Sequence, residues 1–254
     1  MRITMRGSLL RSSSCICLVL FGVSQCLAQT PATTRSLVRV SQIKPDMLSE
    51  WLTIQKNEVI PALKKAGVAS RTLLENVIGN RYEYRSVTPL DQYSALDGDR
   101  PLIKALGKDA GGRLEAKLAK CLDSQYTYVS TRVEELSSLP KAPVTIWVSI
   151  RFRPAPGKAR DYEDYLKTDL MPVYAKAKAA GKIAGYSVSR RGFGQGTGDR
   201  LIIVYLNKAA DLEAGSPVTQ VLGQEGAAKL NAKSVGMVTG VESMVRRRVA
   251  DLSY

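Results

Sequence analysis

The chain has 254 residues, 37 of them basic against 23 acidic, and no histidine. The missing imidazole excludes histidine triads and the usual catalytic zinc sites, and it denies haem iron its commonest ligand, leaving tyrosine as the substitute. A formal charge of +14 favours anionic partners but says nothing about the fold.

Arg2, Arg6 and Arg11 open the chain with no acidic residue among them, Cys15 to Val23 is a short apolar run, and Cys26-Leu27-Ala28 sets small residues at both positions a signal peptidase reads. Residues 1–28 are therefore expected to be a secretory signal peptide cut between Ala28 and Gln29, which places the protein outside the cytoplasm, secreted or periplasmic. A lipoprotein signal with Cys26 modified is the rival reading, but Gln25 stands where a small residue is usual. The apolar run is too short for a membrane span, and no later stretch is apolar enough for one. Cleavage leaves a net charge of +11 and Cys121 as the single cysteine, so no internal disulfide framework is expected. Cys121 aligns with Met237 in the repeat described below and reads as a buried, inert thiol. Nucleic acid is not expected as the partner of an exported protein.

In chain order, strands are expected near 36–44, 71–78, 81–88 and 125–134, and helices near 47–66 and 101–121, with Asn80 in the tight connection of the middle strands. Residues 137–144, Ser-Ser-Leu-Pro-Lys-Ala-Pro-Val, read as a linker. Ile146, Val148, Ile150 and Phe152 then alternate with polar neighbours as one apolar strand face. A helix follows from about Asp161, with Tyr162, Tyr165, Leu166, Leu170 and Val173 on one face, and Gly181 closes it. Strands near 185–192 and 200–207 flank the glycine-rich Gly192 to Gly198, a helix runs from Pro217 to Lys233, and a last strand lies near 241–250. Arg39 falls opposite Val148, so the first strand is less cleanly amphipathic than its counterpart.

These elements repeat. Residues 101–137 superpose on 217–253 without a gap, and 11 of the 37 positions are identical, among them Gly107/Gly223, Lys117/Lys233, Val133/Val249, Leu136/Leu252 and Ser137/Ser253. Average composition gives roughly two or three such matches by chance. Upstream, Lys56 to Pro61 matches Lys167 to Pro172, and Pro45 matches Pro154. The domains are thus a first βαββαβ copy over 29–136, the linker 137–144 and a second copy over 145–254. Each copy forms a ferredoxin-like, antiparallel four-stranded sheet with both helices on one face. The fold class is α+β, with the two sheets packed as a pseudo-dimeric barrel within one chain, either as a monomer with an internal two-fold or as part of a homo-oligomer.

Two βαββαβ copies, each with an acidic-x-x-Pro helix ending (Glu58 to Pro61, Asp169 to Pro172), resemble the dimeric α+β barrel superfamily, which includes NIPSNAP-like proteins and antibiotic-biosynthesis monooxygenase-like domains. The resemblance covers nearly all of the mature chain and implies the fold. It leaves open a range of activities: cofactor-free oxygenases, haem-handling enzymes, lactone isomerases and proteins without known activity.

Two motifs are discounted. Gly192 to Gly198 lies between strands, without the strand-to-helix context of a phosphate loop, and Asp97-Gly-Asp99 reads as a turn and helix start in place of a metal site. No cofactor and no metal are expected. Val129, Val133, Val245 and Val249 suit the helix-facing side of the final strands. The opposite side then turns Tyr126, Tyr128, Arg132, Met244, Arg246 and Arg248 into the space between the sheets, and the same logic sends Trp147, Ser149 and Arg151 inward. Tyr126, Tyr128, Arg132, Trp147, Arg151, Arg246 and Arg248 are the candidate ligand-binding set, an aromatic and guanidinium lining suited to an anionic or aromatic small molecule. The bland alternative is that the tyrosines fill space and the arginines sit in solvent or pair with Glu83, Glu134 or Asp251. The sequence favours a binding or accessory protein. Its first alternative is a metal-free oxygenase or isomerase using tyrosine, arginine and a carboxylate, for which Glu83 is the base only if it faces inward. The second is an envelope protein-interaction module.

Overall fold

The computed structural model describes residues 34–254; the leader over 1–28, with Cys26, Ala28 and Gln29, lies outside them. Among the described residues the first copy supplies β1 (Arg35–Ile43), β2 (Thr72–Ile78), β3 (Glu83–Pro89) and β4 (Leu122–Ser138). The second supplies β5 (Ile146–Pro154), β6 (Gly185–Gly194), β7 (Arg200–Leu206) and β8 (Val238–Arg248). They close into one antiparallel barrel in the order β1-β3-β2-β8-β5-β7-β6-β4. Each copy keeps its own four strands adjacent, and the edges meet at two seams, β2 with β8 and β4 with β6. Closure leaves neither sheet a free edge.

The helices cover the outside. The first helix of copy one, α1, runs through Leu48–Ile54, Gln55–Val59 and Ile60–Lys65, and the second, α2, through Pro101–Leu106 and Lys108–Lys120. In copy two, α3 comprises Ala159–Tyr165, Leu166–Leu170 and Met171–Ala179, and α4 is Pro217–Ala232. Pro61 and Pro172 do not end their helices, which run on to Lys65 and Ala179 as the expected spans to 66 and Gly181 imply, so the acidic-x-x-Pro motif is not itself a helix ending. Each proline lies just after a π-helical turn, Gln55–Val59 or Leu166–Leu170, and the helix continues past it. Proline has no N–H for the i−4 carbonyl, and the wider turn accommodates the gap and the ring.

Several repeated identities now have a cause. Gly107 and Gly223 break α2 and α4 at φ/ψ of 82°/167° and 69°/177°, a region essentially confined to glycine. Lys117 pairs with Glu58 at 2.6 Å and Lys233 with Asp169 at 2.5 Å, so the acidic residue of each acidic-x-x-Pro motif ties the first helix of its copy to the second. Both pairs are solvent-exposed, worth under about 1 kcal/mol each, and fix orientation more than stability. Val133 and Leu136 of copy one, and Ser137 at the start of the linker, reach across the seam. Val133 and Leu136 are buried in the core beneath α3 and α4, while Leu252 is buried in the core beneath α1 and α2, with Val249 against it. Ser137 Oγ accepts the Val188 N–H at 3.0 Å, and Ser253 Oγ accepts the Leu73 N–H at 2.9 Å. The final strands are longer or earlier than the sequence implies: β4 runs into the linker as far as Ser138, and β8 ends at Arg248.

The core of copy two is continuous and aromatic-rich, with Tyr162, Tyr165, Leu166, Met171, Tyr174, Tyr186, Ile202 and Val204 all buried. Burial pushes the Tyr162 and Tyr174 phenols upward, helped by neighbouring tyrosines. Cys121 is fully buried and free, and burial likewise raises its thiol. No helix among the described residues is long and apolar enough to cross a membrane.

Two outcomes follow from this packing. Ser137→Ala and Ser253→Ala each leave a seam N–H without its acceptor, and urea unfolding should show a loss of about 1–3 kcal/mol for either one. The folded phenols of Tyr162 and Tyr174 hold their protons above the unfolded value, so their contribution is complete below pH ~10 and lost as pH rises beyond it, by about 1.4 kcal/mol per unit and per tyrosine. Because the buried Tyr162 hydroxyl has no partner among the described residues, Tyr162→Phe should keep or raise stability at pH 7 and flatten the alkaline loss in pH-dependent denaturation.

Candidate functional site

The two copies differ where they should match. The equivalent serine bonds set Leu73 against Val188. From there the strand registers pair Ser86 and Arg39 with Leu73 in copy one, and Ile202 and Ile150 with Val188 in copy two. The same registers make Ser41 the counterpart of Phe152, Arg71 of Tyr186 and Thr88 of Val204, and the matched π turns make Gln55 the counterpart of Leu166. In copy two Phe152, Leu166, Tyr186, Ile202 and Val204 pack into the apolar core. In copy one Ser41, Gln55, Arg71, Ser86 and Thr88 instead line a cavity of about 620 Å³ between the sheet and α1 and α2, together with Arg39. Large apolar side chains have been exchanged for smaller or polar ones, and the lost volume is open space.

The cavity has a built interior. Arg71 is 3% exposed. Its Nε donates to Ser86 Oγ at 2.9 Å and its Nη2 to Gln55 Oε1 at 2.7 Å, while Nη1 has no partner among the described residues. Backbone bonds in both directions between Arg71 and Tyr254 hold the base of this side chain. Burial pushes the Arg71 guanidinium down to about 10, partly offset by Tyr254 and reinforced by Arg39; it stays charged at neutral pH. Arg39 lines the cavity and is solvent-accessible, yet desolvation by the surrounding protein lowers it too, with Glu115 opposing and Arg100 adding to the shift. Arg100 and Glu115 also line the space and pair at 2.7 Å, with the Arg100 side chain 72% exposed at the outer side. Trp51 and Tyr84 supply an aromatic wall, their ring centroids 4.9 Å apart.

Three arginines against one paired carboxylate give an electropositive, water-accessible cavity with an aromatic wall. The arrangement suits a guanidinium-bound anion with a planar body. It fits an axially ligated haem poorly. Tyr84 is the only lining side chain whose usual ligand chemistry matches haem iron, and burial, with the Glu75 carboxylate beside it, raises its phenol and disfavours the phenolate that would bind the iron. Among the described residues, no group of three or more histidine, cysteine or acidic side chains converges as a metal site.

The residues singled out from sequence lie elsewhere, in and around the barrel lumen. Tyr128, Arg132, Trp147 and Arg246 line a cavity there of about 180 Å³, with Ser149 beside them. Tyr126 is half-buried against Val38, Val40 and Tyr128. Arg132 is held by Glu134 at 2.5 Å. Arg151 is held by Asp199 at 2.6 Å and Glu242 at 2.9 Å. Arg248 shares a side of β8 with Arg246 but is not among the lumen-lining residues; it ends the strand, at the last ladder pair with Leu74. Glu83 faces inward, 3.0 Å from Arg85 and 3.7 Å from Arg246. The helix-side cavity was missed because each copy was assigned an apolar helix-facing side. Its one signal was Arg39, which the sequence offset sets against Val148 and the strand register sets against Ile150, an aliphatic residue in either case.

Comparison with known proteins agrees with the architecture. No family model matches the chain and no curated protein matches it. Solved structures do. An anthrone oxidase-like protein aligns with a TM-score of 0.56 at 13% identity, over 85% of this chain and 91% of its own. A putative monooxygenase from Lactobacillus acidophilus NCFM aligns at 0.51 and 12%, over 87% and 95%. A mutant chlorite dismutase from Candidatus Nitrospira defluvii aligns at 0.51 and 11%, over 87% and 93%. At such identities the likeness shows the fold alone. The chain has the fold of a dimeric α+β barrel, with both halves of the pseudo-dimer in one polypeptide.

Removing only the acceptor at the cavity floor should expose the cost of the buried charge. Gln55→Leu leaves Arg71 short of a second partner and should lower stability by about 1.5–3 kcal/mol. The double variant Gln55→Leu/Arg71→Leu recovers most of that loss, because an apolar pair replaces a half-satisfied cation; a thermodynamic cycle from urea titrations reads the difference.

Proposed function

We propose that this is an exported small-molecule-binding protein whose ligand occupies the helix-side cavity of copy one, with a carboxylate or similar anion on Arg71 and Arg39 and a flat apolar body against Trp51 and Tyr84. The observation that carries this reading is Arg71, a buried guanidinium oriented by Gln55 and Ser86 with one nitrogen left to a ligand. The fold's occurrence in proteins described as a putative monooxygenase and as anthrone oxidase-like supports a small-molecule pocket. It also supports a second reading, metal-free oxygenation or isomerisation of the bound molecule with an arginine steadying an oxyanion. Binding without turnover is favoured because Glu115, the carboxylate lining the cavity, is already engaged in an ion pair with Arg100. Export rests on the leader sequence, and amino-terminal sequencing of the secreted chain should begin at Gln29.

Thermal unfolding of residues 29–254 against aromatic carboxylates tests the proposal. A ligand at a hundredfold over its Kd adds about 2.7 kcal/mol, which for a chain of this size raises the midpoint by about 5–10 °C. The rise should vanish in Arg71→Leu and in Ser41→Phe, which restores the side chain that copy two uses to fill the same space. Retention of the shift in both variants, or its absence with every aromatic acid on the parent chain, overturns the reading. Oxygen uptake with a binding compound would promote the second reading over the first.

A further inference from the structure

The lumen carries a second cationic cluster, separate from the helix-side cavity and unused by the function proposed for it. Arg246, Arg191 and Arg85 are 1%, 2% and 5% exposed, the burial expected of core aliphatics. Arg191 stacks over the Tyr128 ring with its Cζ 3.9 Å from the centroid, and the Tyr128 hydroxyl accepts from Arg85 Nη1 at 3.4 Å. Glu83 is the carboxylate that reaches this group, and it serves two arginines: Arg85 Nε at 3.0 Å and Arg246 Nη2 at 3.7 Å. Three guanidinium groups against one carboxylate leave two positive charges enclosed. Arg246 Nε and Nη1, Arg191 Nε and Nη2, and the Trp147 indole N–H are buried with no partner among the described residues.

Buried polar groups are almost always satisfied, and a buried charge without a counter-charge costs several kcal/mol. Three of these unpartnered nitrogens, Arg246 Nε and Nη1 and the Trp147 N–H, belong to side chains that line one cavity, and they are therefore the outline of a missing acceptor, with Arg191 close behind. Arg246, Trp147, Ser149, Ser187 and Ser189 line one cavity of about 180 Å³ with Arg85 and Tyr128, which is ample for a compact ion but small for an aromatic ring system. Arg132 lines it too, and its partner Glu134 is 57% exposed, which marks the side open to solvent.

We infer that the barrel lumen binds a compact dianionic oxyanion of the phosphate or sulfate class, seated between Arg246 and Arg85, with the Trp147 N–H as a third donor and Arg191 supplying charge from behind Tyr128. The bound ion neutralises the two uncompensated charges and joins residues of β3, β5 and β8, spanning both copies across the β2–β8 seam. Its occupancy strengthens the barrel itself, whereas the helix-side ligand touches copy one alone.

Isothermal titration of residues 29–254 with inorganic phosphate and with sulfate, at ionic strength held constant with sodium chloride, tests this. Saturable one-site binding is expected, with at least about a tenfold loss of affinity in Arg246→Met. Arg71→Leu should bind the same ions as the parent chain does. Absence of saturable binding to the parent chain, or undiminished binding in Arg246→Met, overturns the inference. Loss in Arg71→Leu places the ion in the helix-side cavity and overturns it equally, while leaving the function proposed for that cavity standing. Should Arg246→Met fail to fold, Trp147→Phe removes one donor and keeps the ring packing. Its affinity should fall by roughly three- to tenfold, and an unchanged affinity there sinks the proposal.

Discussion

The exchange of strand ends across the two seams is the constraint on which the rest of this structure depends. Val133 and Leu136 leave copy one to pack beneath the helices of copy two, and Leu252 makes the reverse journey. Neither core is complete within its own copy. The hydrogen bonds from Val188 to Ser137 and from Leu73 to Ser253 lock the register at which this happens. A one-residue slip would turn each final strand inside out, placing arginines in the cores and valines in the lumen. The enclosed lumen, with its buried arginines, exists only because both seams close together.

Duplication has freed one copy from a structural task. Copy two keeps a filled core of tyrosines and aliphatics, while copy one holds arginine, glutamine, serine and threonine at the matching positions and leaves about 620 Å³ open. Each change forfeits apolar burial worth about 1.5–3 kcal/mol for a fully buried side chain. A protein that violates its own packing rule in one half, with the other half showing how the rule is met, locates its functional site by contrast. The shared barrel makes this tolerable, because copy two stabilises copy one through the seams.

Positive charge is partitioned between two interiors with different chemistry. Arg71 and Arg39 stand at an aromatic wall in a space large enough for an organic molecule. Arg85, Arg191 and Arg246 crowd a smaller space between strands, where only a compact ion fits. The triple Arg246-Arg247-Arg248 divides accordingly. Arg246 is buried in the lumen, while Arg247 is outside and paired with Glu75 at 2.6 Å. The bulk charge of the chain is thus partly an interior property and not simply a solvated surface.

Sequence alone determined the fold class, the duplication and the facing of most strands, because alternation of apolar residues and repeated glycine, lysine and valine positions are local or fixed-offset signals that need no coordinates. It also placed Tyr128, Arg132, Trp147 and Arg246 on the inward side, since side-chain period follows directly from the extended backbone. Arg85 and Arg191 escaped notice because nothing in their own strands distinguishes an arginine turned into a lumen from one at a solvated edge. Only the tertiary structure decided where open volume lies. A cavity is the difference between the side chains that surround it, contributed here by four strands and two helices far apart in the chain, and the register that relates Ser41 to Phe152 and Ser86 to Ile202 is set by pairing across the sheet, not by distance along the sequence.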